Sequence, residues 1–298
     1  MVEFPIVDTH LHLWDPSHLR YPWLDGIPLL NKPYLLGDFD RTCGSIQVEK
    51  MVFVQCECAP EQYERETQWV TDLAGEDPRI EGLVSWAPLE KGEAVCPRLE
   101  HLARNPLVKG VRRIIQFEPD PDFCLRPAFI EGVRQLPRFG FSFDICIAHH
   151  HLANTIEFVR QCPEVSFILD HIGKPNIKEQ VFEPWMTQIE DLARFPSVHC
   201  KLSGLVTEAD MERWTPKDLK PYLDHVLSCF GVDRVMYGGD WPVAFQATTY
   251  PRWVETLCRA LDGCSQSELR KVFRENAISF YRLNRGADEM KGRTPCQN

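Results

Sequence analysis

Eight short apolar runs alternate with helix-patterned stretches along nearly the whole chain, and this alternation restricts the fold more than any other feature. The strand-like runs fall at 6–10, 51–55, 82–86, 110–115, 141–146, 166–170, 198–202 and 234–237. Helical spacing is read at 62–74, 94–104, 127–136, 152–161, 179–194, 216–230, 251–261 and 267–281, the last opened by Ser265 and Glu268 spaced as a capping box. Strands that alternate with helices pair in parallel, and eight such units close into a single (β/α)8 TIM barrel, an α/β fold. A doubly wound open sheet is the competing architecture, but it uses fewer strands. The chain has 298 residues, against about 250 for a typical barrel. The barrel is assigned to residues 1–283, and the polar, aperiodic stretch 284–298 to a disordered C-terminal tail.

Composition narrows the function. A formal net charge of -10 argues against nucleic acid, whose phosphates need a basic face. No apolar run reaches the roughly 20 residues of a membrane helix, and no basic-then-apolar leader precedes Phe4. The twelve cysteines are irregularly spaced and contain no CxxC pair, as expected of reduced thiols in a cytoplasmic protein. None has an evident paired base, so none is assigned a catalytic role. Oligomeric state is not legible.

Chemistry concentrates at the C-terminal ends of three strands. The first carries Val7-Asp8-Thr9-His10-Leu11-His12. Residues two apart on a strand share a face, so His10 and His12 present two imidazoles together. The sixth ends in Asp170-His171-Ile172-Gly173-Lys174-Pro175 and the eighth in Gly238-Gly239-Asp240-Trp241-Pro242. A barrel brings these ends to one rim. There Asp240 can take a proton from water while His10, His12 and His171 polarise a carbonyl or hold a metal that does so. Singly, such residues are more often structural; their shared rim favours function.

The HxH after the first strand, the DHxGKP of the sixth and the GGDWPV after the eighth resemble the amidohydrolase superfamily, in particular its sugar-lactonase branch (L-fuconolactonase, L-rhamnonolactonase, 2-pyrone-4,6-dicarboxylate lactonase). The likeness spans nearly the whole chain, and Lys109-Gly110-Val111-Arg112 and Lys201-Leu202-Ser203-Gly204 fit it too. It implies a hydrolase that opens a small lactone, with Asp240 as general base and His10, His12 and His171 as catalytic ligands of substrate or metal. If a metal binds, its ligands are His10, His12, His171 and Asp240, and the ion is divalent, such as zinc. Members of the branch can work without one, so no cofactor is strictly required. The expected partner is a small-molecule lactone.

Face assignments supply the substrate contacts. On the fifth strand Phe141, Phe143, Ile145 and Ile147 form the helix-facing side, so Ser142, Asp144, Cys146, Ala148 and His150 face the interior, and His150 rather than His149 or His151 is the pocket histidine. On the fourth, Val111, Arg113, Ile115 and Phe117 form the apolar side, which leaves Arg112 and Gln116 for the substrate unless Arg112 serves a rim salt bridge. Gln55 with Glu57, and Lys201 with Ser203, are weaker pairs, and Lys201 is alternatively a buried ion-pair partner. Trp86 and Trp241, at strand ends, can stack on a sugar or lactone ring or belong to the core. The proline-rich segment 13–49, with Tyr21-Pro22-Trp23, either covers the pocket or packs as a surface excursion. Two other readings compete: a zinc-dependent decarboxylase or amide hydrolase of the same fold, and a non-catalytic small-molecule binder.

Overall fold

The strands are short, and their residues are buried on both faces, as all-parallel sheets require. In the computed structural model, which describes residues 2–284, they are β1 (Ile6–Leu11), β2 (Val48–Val54), β3 (Ile80–Ser85), β4 (Val108–Val111), β5 (Ser142–Ile145), β6 (Phe167–Leu169), β7 (Val198–Leu202) and β8 (Val235–Tyr237). They pair in sequence order, every neighbour parallel. The expected barrel is thus observed.

Closure between β8 and β1 is made partly by side chains. Asp8 accepts hydrogen bonds from the amides of His10 (3.0 Å) and Gly239 (2.8 Å) and from the Tyr250 hydroxyl (2.9 Å). Main-chain bonds from Asp240 to His10 and from His12 to Trp241, both 2.8 Å, continue the seam.

The helices are α1 (Leu36–Cys43), α2 (Tyr63–Glu76), α3 (Cys96–Ala103), α4 (Pro127–Val133), α5 (Leu152–Gln161), α6 (Trp185–Ala193), α7 (Leu205–Glu208), α8 (Pro216–Phe230) and α9 (Tyr250–Ala260). A last helical stretch runs from Gln266 to Phe280, opened by the Ser265–Glu268 capping box and interrupted by a π-helical turn at Lys271–Glu275. None is long and apolar enough to cross a membrane. Two readings need correction. Helix α1 lies inside the proline-rich segment, where no helix is expected, and the helix expected at 179–194 begins only at Trp185. The assigned tail lies outside the described residues except for Asn284, whose amide donates to Glu81 at 2.8 Å.

Two apolar layers hold the barrel. The larger lies between strands and helices. The smaller fills the interior with Val7, Val52, Val54, Val84, Ile168 and Met236, and is floored by Ile278, Tyr281 and Leu283 from the chain's end. Segment 13–49 contributes buried Trp14, Tyr21, Leu24, Tyr34 and Phe39 to the larger layer and packs them over the rim.

Candidate active site

Alternation along β1 should place Asp8 and His10 on one face, yet they point to different surroundings. The pairing register with β2 shifts between Asp8 and Leu11, where β1 carries one residue more than its partner. Such a bulge re-aims the side chains that follow it. Asp8 therefore meets Tyr250 of α9, while His10 and His12 enter the barrel with ring centroids 4.9 Å apart. His171 joins them, 4.4 Å from His10.

The tautomers follow from the partners. His12 Nδ1 lies 2.7 Å from the Val54 carbonyl, which only accepts, so Nδ1 carries the hydrogen and Nε2 offers a lone pair. His10 Nε2 lies 3.3 Å from Arg112 Nη1, which only donates, so Nε2 accepts; its Nδ1 lies 3.3 Å from Asp170 and 3.4 Å from Lys201 Nζ. His171 Nδ1 pairs with Ser203 Oγ at 2.9 Å. Gly204, at φ +66, admits that ring: a β-carbon there would meet His171 Nδ1 at 2.4 Å. Burial drives all three imidazoles below their ordinary pKa and keeps them neutral. Burial also works against charge on Asp240, but His171, then His12, and also Lys174 outweigh it, and the carboxyl sits below its ordinary value. An ionised carboxylate thus faces neutral imidazoles.

Beneath the rim lies a buried charge network. Lys201 pairs with Asp144 and with Asp170 (3.1 Å), and Arg112 with Asp170 (3.3 Å) and the Gln55 carbonyl. Tyr281 donates to Asp144 at 3.0 Å. Burial alone would discharge Asp170, yet Lys201, His10 and Arg112 together hold it ionised, well below the usual carboxylate range. Asp144, with the same burial, is raised.

The chain leaving β6 is strained. His171 (φ 54°, ψ 35°), Ile172 (φ 49°, ψ 26°) and Lys174 (φ 50°, ψ 64°) are left-handed, as is Gly173 (φ 75°), and Lys174 N–H closes the turn on the His171 carbonyl at 2.9 Å. Each non-glycine residue costs about 1–2 kcal/mol in that conformation, and β-branched Ile172 is least suited to it. Asp240 (φ 50°) and Glu57 (φ 51°) share the conformation. Strain of this kind gathers where side-chain direction matters to function.

These residues border a cavity of about 370 Å³. Of the expected set, His12, His171, Asp240, Arg112 and Gln116 line it, together with Glu57 and, from segment 13–49, Pro22 and Trp23. Others lie elsewhere. His10 is wholly buried behind Arg112. Lys201 is equally buried and belongs to the ion-pair network rather than to a substrate contact. The fifth strand ends at Ile145 and a 3-10 turn begins at His149, so alternation no longer applies, and His150 is exposed outside the cavity. Trp86 stacks on Tyr63 at 4.0 Å, and it is Tyr63 that faces the cavity. Trp241 turns away to pack on Tyr34 and Phe39. Phe117, assigned to the apolar side of the fourth strand, is 75 % exposed at the cavity mouth. Sequence reasoning missed Asp170, which alternation cannot rank, and Lys174.

A metal fits part of this arrangement. His12 Nε2 and Asp240 Oδ1, both acceptors, face each other at 3.6 Å, and His10 Nε2 lies 3.8 Å from the same oxygen. Two acceptors so placed need a cation or a hydrogen-bond donor between them. The three ligand atoms lie within 4.8 Å of one another.

Glu66 of α2 supports the cavity wall from behind, accepting the Cys56 amide at 3.1 Å. Burial raises its carboxyl from 4.5 to about 8, so it is protonated near neutrality. A raised folded-state value gives stability that is complete below 4.5 and lost as pH rises through about 8. The melting temperature should therefore fall as pH rises from about 5 to about 8, and Glu66→Gln should flatten that fall; an unchanged pH dependence in the variant would contradict the protonated state.

Comparison with known proteins agrees with this geometry. The chain is similar to an L-fucono-1,5-lactonase from Burkholderia ambifaria, 30% identical over 94% of this chain and 96% of the relative. It superposes on a Burkholderia multivorans amidohydrolase crystallised with bound zinc at TM-score 0.86 and 27% identity, covering 94% of this chain and all of the other. A Pseudomonas putida structure described as a putative 2-pyrone-4,6-dicarboxylic acid hydrolase shares the fold at TM-score 0.72 and 19% identity, covering 96% of this chain and all of that one. The sequence pattern of the amidohydrolase family matches residues 7–283, and the chain belongs to that family.

Proposed function

We propose that this enzyme hydrolyses the ester bond of a small lactone, and that the substrate is a sugar-acid lactone of the L-fuconolactone kind. The observation that carries the reading is the ionised Asp240 facing neutral His12 and His171 across a cavity sized for one small ring. The lactonase relative of matching length supports the substrate class. Asp240 takes a proton from a water held between its carboxylate and His12 Nε2, and the oxygen attacks the lactone carbonyl. His171 donates to the carbonyl oxygen as charge develops on it. Arg112 and Gln116 border the ring on the cavity wall, and Trp23 shields it. His10, fixed by Asp170 and Arg112, positions the group from behind.

A divalent ion, when bound, would sit among His10, His12 and Asp240 and supply Lewis-acid polarisation of carbonyl or water. The Asp240 carboxyl sits below its ordinary value through the protein's own groups, so the base exists without the ion. Dialysis against a strong chelator should therefore leave most of the turnover, whereas a fall to background restored by zinc would make the ion essential. The function itself is tested by adding purified protein to L-fucono-1,5-lactone and other aldonolactones with a pH indicator. Acid release faster than spontaneous opening is expected, and no acceleration on any of them rejects the reading.

A further inference from the structure

Breaking the ring ester leaves the electron pair on the former ring oxygen, and an alkoxide needs a proton in the same step. Asp240 starts that step as an acceptor. Arg112 does not release its protons, and its two terminal nitrogens are already directed at Asp170, His10 and the Gln55 carbonyl. The amide of Gln116 is not an acid. Burial raises the Tyr63 hydroxyl and the Cys56, Cys58 and Cys146 thiols, which weakens them as acids, and the ammonium of Lys174 is the remaining charged donor among the described residues on the cavity wall.

Its placement agrees with that use. The left-handed turn from His171 to Lys174 sets the two residues one turn apart, and both side chains line the cavity. Lys174 is held from both ends. Its carbonyl lies 3.0 Å from His149 Nδ1, which donates to it, and its Nζ donates to Gln116 Oε1 at 2.7 Å, with Glu208 at 4.0 Å. The side chain is only 17 % exposed, and its charge acts on both Asp240 and His171. A lysine needed only as a surface ion pair with Glu208 does not require three left-handed non-glycine residues.

Building on the lactone-hydrolase reading, we propose that Lys174 is a further catalytic residue, the acid that protonates the leaving ring oxygen. Water gives one proton to Asp240 while its oxygen forms the new bond to the carbonyl carbon. As the carbonyl re-forms, the bond from carbon to ring oxygen breaks, its electron pair stays on that oxygen, and a proton from Lys174 Nζ joins it. Asp240 then holds the proton that Lys174 lacks, and its return to the amine restores both groups. The net change is one lactone and one water converted to one hydroxy acid.

Chemical rescue tests the assignment on the lactone that the wild-type enzyme opens fastest. Lys174→Ala should lower kcat by about 10²–10³-fold while KM changes little. Added methylammonium chloride should restore a large part of the loss, and tetramethylammonium, which carries charge but no proton, should restore none. Lys174→Arg, which keeps the charge, should stay slow. Rescue by methylammonium also shows that the alanine variant is folded. Near-normal kcat in either variant, equal rescue by both cations, or no rescue in a variant with native circular dichroism overturns the role of Lys174. A wild-type enzyme that opens no lactone overturns the underlying hydrolase reading instead.

Discussion

Asp240→Asn is expected to lower kcat by about 10³–10⁴-fold, near the upper range for removing a positioned base, while leaving the fold intact. The amide keeps the shape of the carboxylate and can still meet His12, but it cannot take a proton from water. The wild-type carboxyl is held below its ordinary 3.8, so the acid limb of the wild-type kcat/KM profile should lie below that value. Stopped assays with an aldonolactone, alongside circular dichroism, measure the effect. Turnover within tenfold of wild type would remove Asp240 from the base role and require another carboxylate, with Glu57 next along the cavity wall.

The second large effect is on stability. Lys201→Met should destabilise the protein by about 3–5 kcal/mol, because it leaves two buried carboxylates, Asp144 and Asp170, with less compensating charge. Both are fully buried, and Lys201 is an ion-pair partner of each. Adding Asp144→Asn to Lys201→Met should recover part of the loss, since the neutral amide no longer needs a cation. Urea unfolding of the two variants and wild type gives the coupling directly. A loss below 1 kcal/mol in Lys201→Met would mean that water or a rearranged Arg112 takes the place of the ammonium. His10 Nδ1 lies 3.3 Å from Asp170 and 3.4 Å from Lys201 Nζ, so turnover should fall in the same variants.

Much of this was legible in the sequence, for identifiable reasons. Strand runs bounded by helices fix a barrel, and a barrel fixes which ends meet; that is why His171 and Asp240, about 160 and 230 positions beyond His10, could be assigned to its rim. What alternation cannot show is where alternation stops. The β1 bulge, the end of β5 before His150 and the outward turn of Trp241 are each departures from the two-residue period. The left-handed turn at Lys174 is hidden for a related reason. Only Gly173 among its residues advertises positive φ, and Ile172 speaks against it. Helix α1 was obscured by the prolines that precede it.

The Asp8 seam constrains how the polypeptide can be made. The edge of β1 is completed by residues 237–241, so some 230 residues must emerge from the ribosome before that edge has its partner. At typical elongation rates this is on the order of tens of seconds. Throughout that interval the nascent chain carries a strand with one open side and a carboxylate without its Gly239 and Tyr250 donors. Unpaired edges of this kind recruit other chains. The growing polypeptide is therefore most exposed to aggregation just before its eighth strand appears, and chaperone demand should be set by the distance from Asp8 to Tyr250 rather than by total length.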